Sequence, residues 1–471
     1  MEELEQRIND WIEANDPEKV LDLSSNSHSI TSLPPFPPGL KKLRFNPIPP
    51  ELISLPPFPE TLVELMLVST TLNQILIPEF PDSLEKLEIH YMNLSYVPSL
   101  PNNLKKIKIH EEYLLFTHSC PAFPDSVEEI HFINVSFSSL PSLPPNLKIL
   151  DCRGAKNITL LPSLPYSLEK IICQLTGITS LPPLPDSLQF LCIDYSPLEV
   201  LSPLPALLKK LYCIHTNISE IPTLPESLKE LLCYNSKNIT SLPELPLTLK
   251  KINCSSCNIS SLPTLPDSLE YLFISSNPIT SLPPLPKNLK DLTCFETQIS
   301  SLPDLPEGLT SLNCGSTQIT SLPNFPSTLV DLKCYNLNIT SIPKLPVTLK
   351  NLNINGCKNL VDIPEIPQTL ITFCCEYINL YLLPELPNLA WISCRGCPNL
   401  LIQPKVGEST KYYVERWKPI WGKYREIERR DEIILRCKAV KEELIEKTWH
   451  PQRVFDWCFD EEEKIELLMN E

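Results

Sequence analysis

The sequence predicts an α/β solenoid, a stack of thin repeats with a parallel sheet on one side and helical caps at both ends. Three observations predict it. A Leu/Ile-Pro mark recurs mostly every 20 residues, for example at Leu282, Leu302, Leu322 and Ile342. A short alternation of strand period follows each mark, as in Ile252-Asn253-Cys254. The leg between strands holds too much proline for a helix. A period in this range means units that cannot bury their apolar face alone and must stack.

The first element is a helical cap over residues 1 to 19. Leu4, Ile8, Trp11 and Ile12 fall at i, i+4, i+7 and i+8, an amphipathic stripe suited to covering the open end of a core. Asp16-Pro17 ends the helix, and Val20-Leu21-Asp22-Leu23 begins the first strand.

About 18 repeats then occupy residues 20 to 403. In the unit from Leu249 to Pro263, apolar residues at Leu249, Ile252, Cys254, Ile259 and Leu262 match the template L-x-x-L-x-L-x-x-N/C-x-L. Ile252 and Cys254 are predicted to face the core, with Lys251, Asn253 and Ser255 outward. Stacking sets these strands side by side as a parallel sheet on a concave face. The return leg, Leu-Pro-x-Leu-Pro-x-Ser-Leu, is expected to run extended, near polyproline II, on the convex side.

Cysteine fills the last core position of the strand in ten repeats: Cys152, Cys173, Cys213, Cys233, Cys254, Cys294, Cys314, Cys334, Cys375 and Cys394. Thiols on adjacent parallel strands point the same way, a poor geometry for disulfides, so this ladder reads as small buried hydrophobes. Three residues on lies a second ladder, with Asn26, Thr176, Thr216, Cys257, Asn277, Thr297, Thr317 and Cys397 placed to hydrogen-bond the turning backbone.

After Gln403-Pro404 the repeat stops. Residues 404 to 471 read as a helical C-terminal cap or tail module. Ile433, Cys437, Val440 and Leu444 follow helical spacing, and Asp460 with Glu463 resembles a capping box. Trp449, Val454, Phe455 and Trp457 form an apolar set able to dock on the last repeat.

Composition excludes several functions. The chain has 471 residues, with 40 Lys+Arg against 56 Asp+Glu, a net charge of −16 that disfavours nucleic acid and anionic membranes. Only 9 glycines are present and no phosphate-cradling loop is found. Neither a Ser/His/Asp set nor an HExxH motif is recognised, so catalytic, cofactor and metal residues are expected to be none. The acidic start Met1-Glu2-Glu3-Leu4-Glu5 lacks a secretory signal, and no apolar run reaches membrane-span length. The 18 cysteines are therefore expected to be reduced, in a cytoplasmic protein.

The unit x-L-x-x-L-P-x-L-P-x-x-L-x-x-L-x-[C/V] resembles the short bacterial-effector type of leucine-rich repeat, the YopM and IpaH group. The resemblance covers roughly residues 20 to 403. It implies a leucine-rich-repeat horseshoe that binds host proteins, with the N-terminal helix as that group's cap. The cysteine ladder and the irregular early repeats depart from the pattern. Some of that group carry a ubiquitin-ligase domain with a Cys-x-Asp motif. Cys458-Phe459-Asp460 matches those three residues, although this tail is much too short for the domain. The stretch from Thr448 to Cys458 looks instead like tail segments of giant DNA virus proteins, which implies a viral protein acting in the host cytoplasm.

The outward strand positions then suggest where the surface acts. The early repeats show Lys42, Arg44, Lys86, His90, Lys106, Lys108, His110 and His131, a basic, histidine-rich stretch. The middle repeats show Phe190, Tyr212, Ile214, Leu232, Tyr234, Tyr271, Phe273 and Phe295. Aromatics clustered on a sheet face are typical of interface centres. The expected function is a non-enzymatic scaffold for a protein partner, with Phe190, Tyr212, Leu232, Tyr234, Tyr271, Phe273 and Phe295 as contacts. Two alternatives stay open: a ligase or adaptor acting through the tail, and a self-associating structural component.

Overall fold

One strand marks each repeat in the computed structural model, and every strand pair is parallel. The structure describes residues 2–24, 30–69, 75–92, 98–111, 120–360, 362–380, 383–387, 389–398, 400, 413–416 and 418–419. The chain divides into two compact units, residues 1–249 and 250–471.

The first unit opens with the helix Glu2–Ala14. Leu4, Ile8 and Trp11 are buried, but Ile12, expected on the same stripe, is 52% exposed. The end of the helix is fixed by polar contacts to the first strand and its approach: Trp11 Nε1 donates to the Lys19 carbonyl at 2.8 Å and Arg7 Nη1 to that of Asp22 at 3.2 Å. The strands that follow shorten along the unit. Lys42–Ile48 has seven residues and Glu64–Ser69 six, whereas Lys210–Tyr212 and Glu230–Leu232 have three. The register steps are irregular early and regular late. Leu43 faces Leu65 across 22 residues and Ile107 faces Ile130 across 23, but Leu211 faces Leu231 across 20.

Among the described residues the second unit holds eight three-residue strands, from Lys251–Asn253 to Trp391–Ser393. Leu272 faces Leu292 and Leu292 faces Leu312, again 20 residues apart.

The core alternation follows the sequence. Ile252 and Cys254 are fully buried while Asn253 between them is half-exposed. All ten ladder cysteines are buried, and every cysteine among the described residues is a free thiol. Cys152 and Cys173 show the contact: their Sγ atoms lie 3.2 Å apart. Isoleucine interrupts the ladder at Ile193, Ile274 and Ile354, and Phe45, Leu67, Ile89, Ile109 and Phe132 fill the position earlier. Burying such an aliphatic or aromatic side chain contributes roughly 2 kcal/mol, so stability accumulates repeat by repeat.

The second ladder bonds the turn as expected. Thr176, Thr297 and Thr317 donate to the carbonyls of Cys173, Cys294 and Cys314 at 2.8, 2.8 and 2.9 Å. Asn277 Nδ2 spans repeats, reaching the carbonyls of Cys254 and Ile274 at 2.8 and 2.9 Å. Asn26 lies outside the described residues.

No helix forms between Leu21 and Leu400 among the described residues. The return leg closes instead with a turn that sequence reading missed: the Leu249 amide donates to the Pro246 carbonyl at 3.1 Å, and Leu269 to Pro266 at 3.0 Å. The Ser/Thr of each Pro-x-Ser/Thr-Leu run then makes a third ladder. Ser187, Ser227 and Thr348 donate to the carbonyls of Leu168, Leu208 and Leu329 at 2.8, 2.7 and 2.8 Å. This explains the hydroxyl at that position, since an unpaired carbonyl buried between repeats would cost about 1–3 kcal/mol.

Of the tail, Tyr413–Arg416 is helical, with Tyr413 and Val414 buried. The apolar set at Trp449 to Trp457, the capping box and the Cys458-Phe459-Asp460 motif lie outside the described residues. No helix among the described residues is long and apolar enough to cross a membrane.

Candidate protein-interaction face

Outward side chains at matching positions of neighbouring strands sit about 4.8 Å apart, close enough to touch. In the first unit, Phe190 and Tyr212 meet edge to face with centroids 5.1 Å apart. Lys170 Nζ stands 5.2 Å over the Phe190 ring. The Tyr212 hydroxyl donates to Glu230 at 2.6 Å; burial and then this carboxylate push the phenol above its ordinary range. Phe190, Tyr212, Leu232 and Tyr234 are half-buried, and Ile214 is buried. In the second unit, Phe273 and Phe295 are half-buried and Tyr271 is exposed. Lys251 Nζ lies 5.8 Å over the Phe273 ring. Phe190 and Tyr212 thus cover one another in part, and the half-buried side chains leave edges and partial faces to solvent.

In the early repeats the basic residues are interleaved with carboxylates on the same strand or a neighbouring one. Glu64 takes Lys86 at 2.9 Å, Glu88 takes His90 at 3.3 Å and Lys108 at 3.7 Å, and Glu129 takes Lys106 at 2.9 Å and His131 at 3.2 Å. The hydrogen bond from His90 leads the effects that hold the Glu88 carboxyl below its usual range. The stretch is a set of paired charges, mostly solvated, where each pair contributes about 0–1 kcal/mol. No group of three His, Cys, Asp or Glu side chains suited to a metal forms among the described residues.

Two buried carboxylates on the outward side were not anticipated. Asp151 is 2% exposed. Arg153 binds it through Nε and Nη2, at 3.0 and 2.6 Å, and His131 Nδ1 lies 3.6 Å away. Burial pushes its pKa up, but the hydrogen bonds from His131 and Arg153 outweigh this and hold it low. Asp194 is 6% exposed. Its Oδ1 accepts the Ile214 amide at 2.8 Å and its Oδ2 the Cys192 thiol at 3.3 Å. Burial dominates there and raises the carboxyl. The Cys192 thiol is pushed up to about 12, chiefly by burial. Beside this pair, Tyr195 and His215 stack at 5.1 Å on the turn. Sequence reading passed over both aspartates because they lie among apolar and basic outward positions. The signal was an acid in an otherwise apolar column, Gln174, Asp194, Ile214, Tyr234.

The thin parallel repeat has a counterpart among solved structures. YopM from Yersinia enterocolitica WA-314 superposes with a TM-score of 0.69 at 28% identity, over 83% of this chain and 94% of that one. The chain is a leucine-rich-repeat protein. Its leucine-rich repeats are also similar to those of YopM from Yersinia pestis, a leucine-rich effector protein, at 26% identity over 84% of this chain and 93% of that one, with a TM-score of 0.47. A functional domain of InlJ from Listeria monocytogenes, which includes a cysteine ladder, is 22% identical over 59% of this chain and 60% of that one, with a TM-score of 0.49. No family model matches the chain, and no curated protein does.

Proposed function

We propose that this leucine-rich-repeat protein is a non-enzymatic scaffold that binds a protein partner on the outward face of its strands. The observation that carries the reading is the set of aromatics there: Phe190, Tyr212, Leu232 and Tyr234 in the first unit, and Tyr271, Phe273 and Phe295 in the second. Rings held by their neighbours lose little freedom on binding, which suits them to interface centres. The similarity to YopM, an effector built on the same repeat, supports the same reading. The free thiols fit a reducing, cytoplasmic compartment.

The test is affinity capture by the full-length chain, followed by reconstitution with each purified captured protein. Tyr212→Ser with Tyr234→Ser, and separately Tyr271→Ser with Phe273→Ser, are expected to weaken binding at least tenfold with unchanged circular dichroism. Binding unaffected by both pairs overturns the reading.

A further inference from the structure

Asp151 and Asp194 pose the same physical problem on the same face and solve it differently. Both are buried carboxylates at outward positions of the first unit. A buried charge is normally paired with a cation and hydrogen-bonded. Asp151 has both, through Arg153 and His131. Asp194 has one backbone amide and one thiol, and among the described residues no cation pairs with it. A carboxylate offers about four acceptor sites, and the described residues use two of them at Asp194.

What surrounds Asp194 narrows the missing partner. Cys192 and Ile214 are buried beside it and offer no charge. Tyr212 and Tyr234 lie close enough for its charge to act on their phenols, and the Tyr195 ring follows it directly in the chain, stacked on His215. Phenol rings around a carboxylate favour a planar, weakly hydrated cation that stacks on aromatic faces while donating a fork of N–H groups. The guanidinium has these properties and a lysine ammonium, compact and strongly hydrated, does not. Arg153 on Asp151 is the internal example.

We propose that Asp194 is the anchor for an arginine side chain of a partner protein, presented on an apolar segment that lies over Tyr212, Leu232 and Tyr234. The inference rests on the proposed function and names the chemistry that this part of the face selects. The arginine supplies to Asp194 what Arg153 supplies to Asp151. The flanking apolar residues cover the half-buried rings and exclude water from the pair, which strengthens it.

The test uses the full-length chain and a phage-displayed linear peptide library, panned in parallel on the wild type, on Asp194→Asn and on Tyr212→Ser/Tyr234→Ser. Peptides that bind the wild type and are lost on the double tyrosine variant are expected to be enriched in arginine. Synthetic copies with that arginine replaced by citrulline, which keeps the shape and removes the charge, are expected to bind the wild type at least tenfold more weakly. On Asp194→Asn the two forms are expected to bind within twofold of each other. The citrulline comparison on the wild type needs no variant to fold. Tyrosine-dependent peptides without a basic residue, or with an arginine indifferent to citrulline, overturn the anchor and leave the binding face standing. If lysine replaces arginine without loss, the guanidinium assignment is overturned. Selected peptides that ignore the tyrosine variant, or no selected peptides at all, overturn the face and the anchor together.

Discussion

Arg153 closes on Asp151 from two positions along the same strand edge, with Nη2 2.6 Å from Oδ2 of a carboxylate that is 2% exposed. Removing the cation strands the charge in a nearly dry site. Arg153→Met is expected to destabilise the first unit by about 2 kcal/mol at pH 7, since a buried charged acceptor loses its partner. The pH dependence has a definite sign. The folded carboxyl sits below its usual range because the hydrogen bonds from His131 and Arg153 outweigh burial. Its stabilisation is present above the unfolded value of about 3.9 and is lost as pH falls through the lower folded value. Thermal melts of wild type and variant at pH 7 and pH 3 are expected to show a gap that narrows on acidification. A gap that widens would contradict the pairing.

Asp194 is expected to behave in the opposite sense. Burial raises its carboxyl, so the ionised form is a cost at neutral pH that protonation relieves. The penalty is present above the raised folded value and disappears as pH falls through it. Asp194→Asn keeps an acceptor for the Ile214 amide and removes the charge. Its melting temperature at pH 7 is expected to equal or exceed that of the wild type. A fall of several degrees would show that the charge is already compensated.

From Asn134 onward the turn that follows the strand places a residue in the left-handed region. Gly154 sits in it at φ +74, and a Cβ there would come 2.0 Å from Asn134 Oδ1. Leu175 occupies the corresponding turn at φ 56 while 46% exposed. A left-handed non-glycine residue costs roughly 1 kcal/mol, and asparagine tolerates this region better than leucine. Gly154→Ala is expected to lower stability by about 1–3 kcal/mol, through strain and collision together. Leu175→Asn is expected to raise it by about 0.5–1 kcal/mol, because little buried surface is lost. Paired thermal melts check both signs.

The fold was largely legible because a repeat states each contact many times over. The alternation around Ile252 and Cys254, the cysteine ladder and the hydroxyls at Thr176 and Thr297 all follow from a single period. The Ser/Thr ladder at Ser187, Ser227 and Thr348 was equally periodic. Its role was not legible because its acceptors are carbonyls one repeat away. The face was less legible. Outward positions are free to vary between repeats, so whether Lys106 is a free cation or the partner of Glu129 depends on a strand 23 residues on. The setting of Asp194 likewise depends on the next repeat, whose Ile214 amide binds it.

The adjacent residues Cys374 and Cys375 give the sharpest test of register. Strand side chains alternate with period two, so a slip of one residue exchanges the two faces. Cys374 is half-buried on the outward side, its thiol pushed up to about 11 by burial and then by Glu376. Cys375 is fully buried in the ladder, its thiol raised further by burial and then by Cys394. Alkylation needs both access and thiolate. Native protein treated with iodoacetamide near pH 8.5 is therefore expected to label Cys374 slowly and to spare Cys375. After denaturation in guanidinium both are expected to label alike. Tandem mass spectrometry of the one peptide that contains them assigns the adduct. Preferential labelling of Cys375 in the native state would place the ladder on the outward face. That would overturn the register on which the proposed binding face depends.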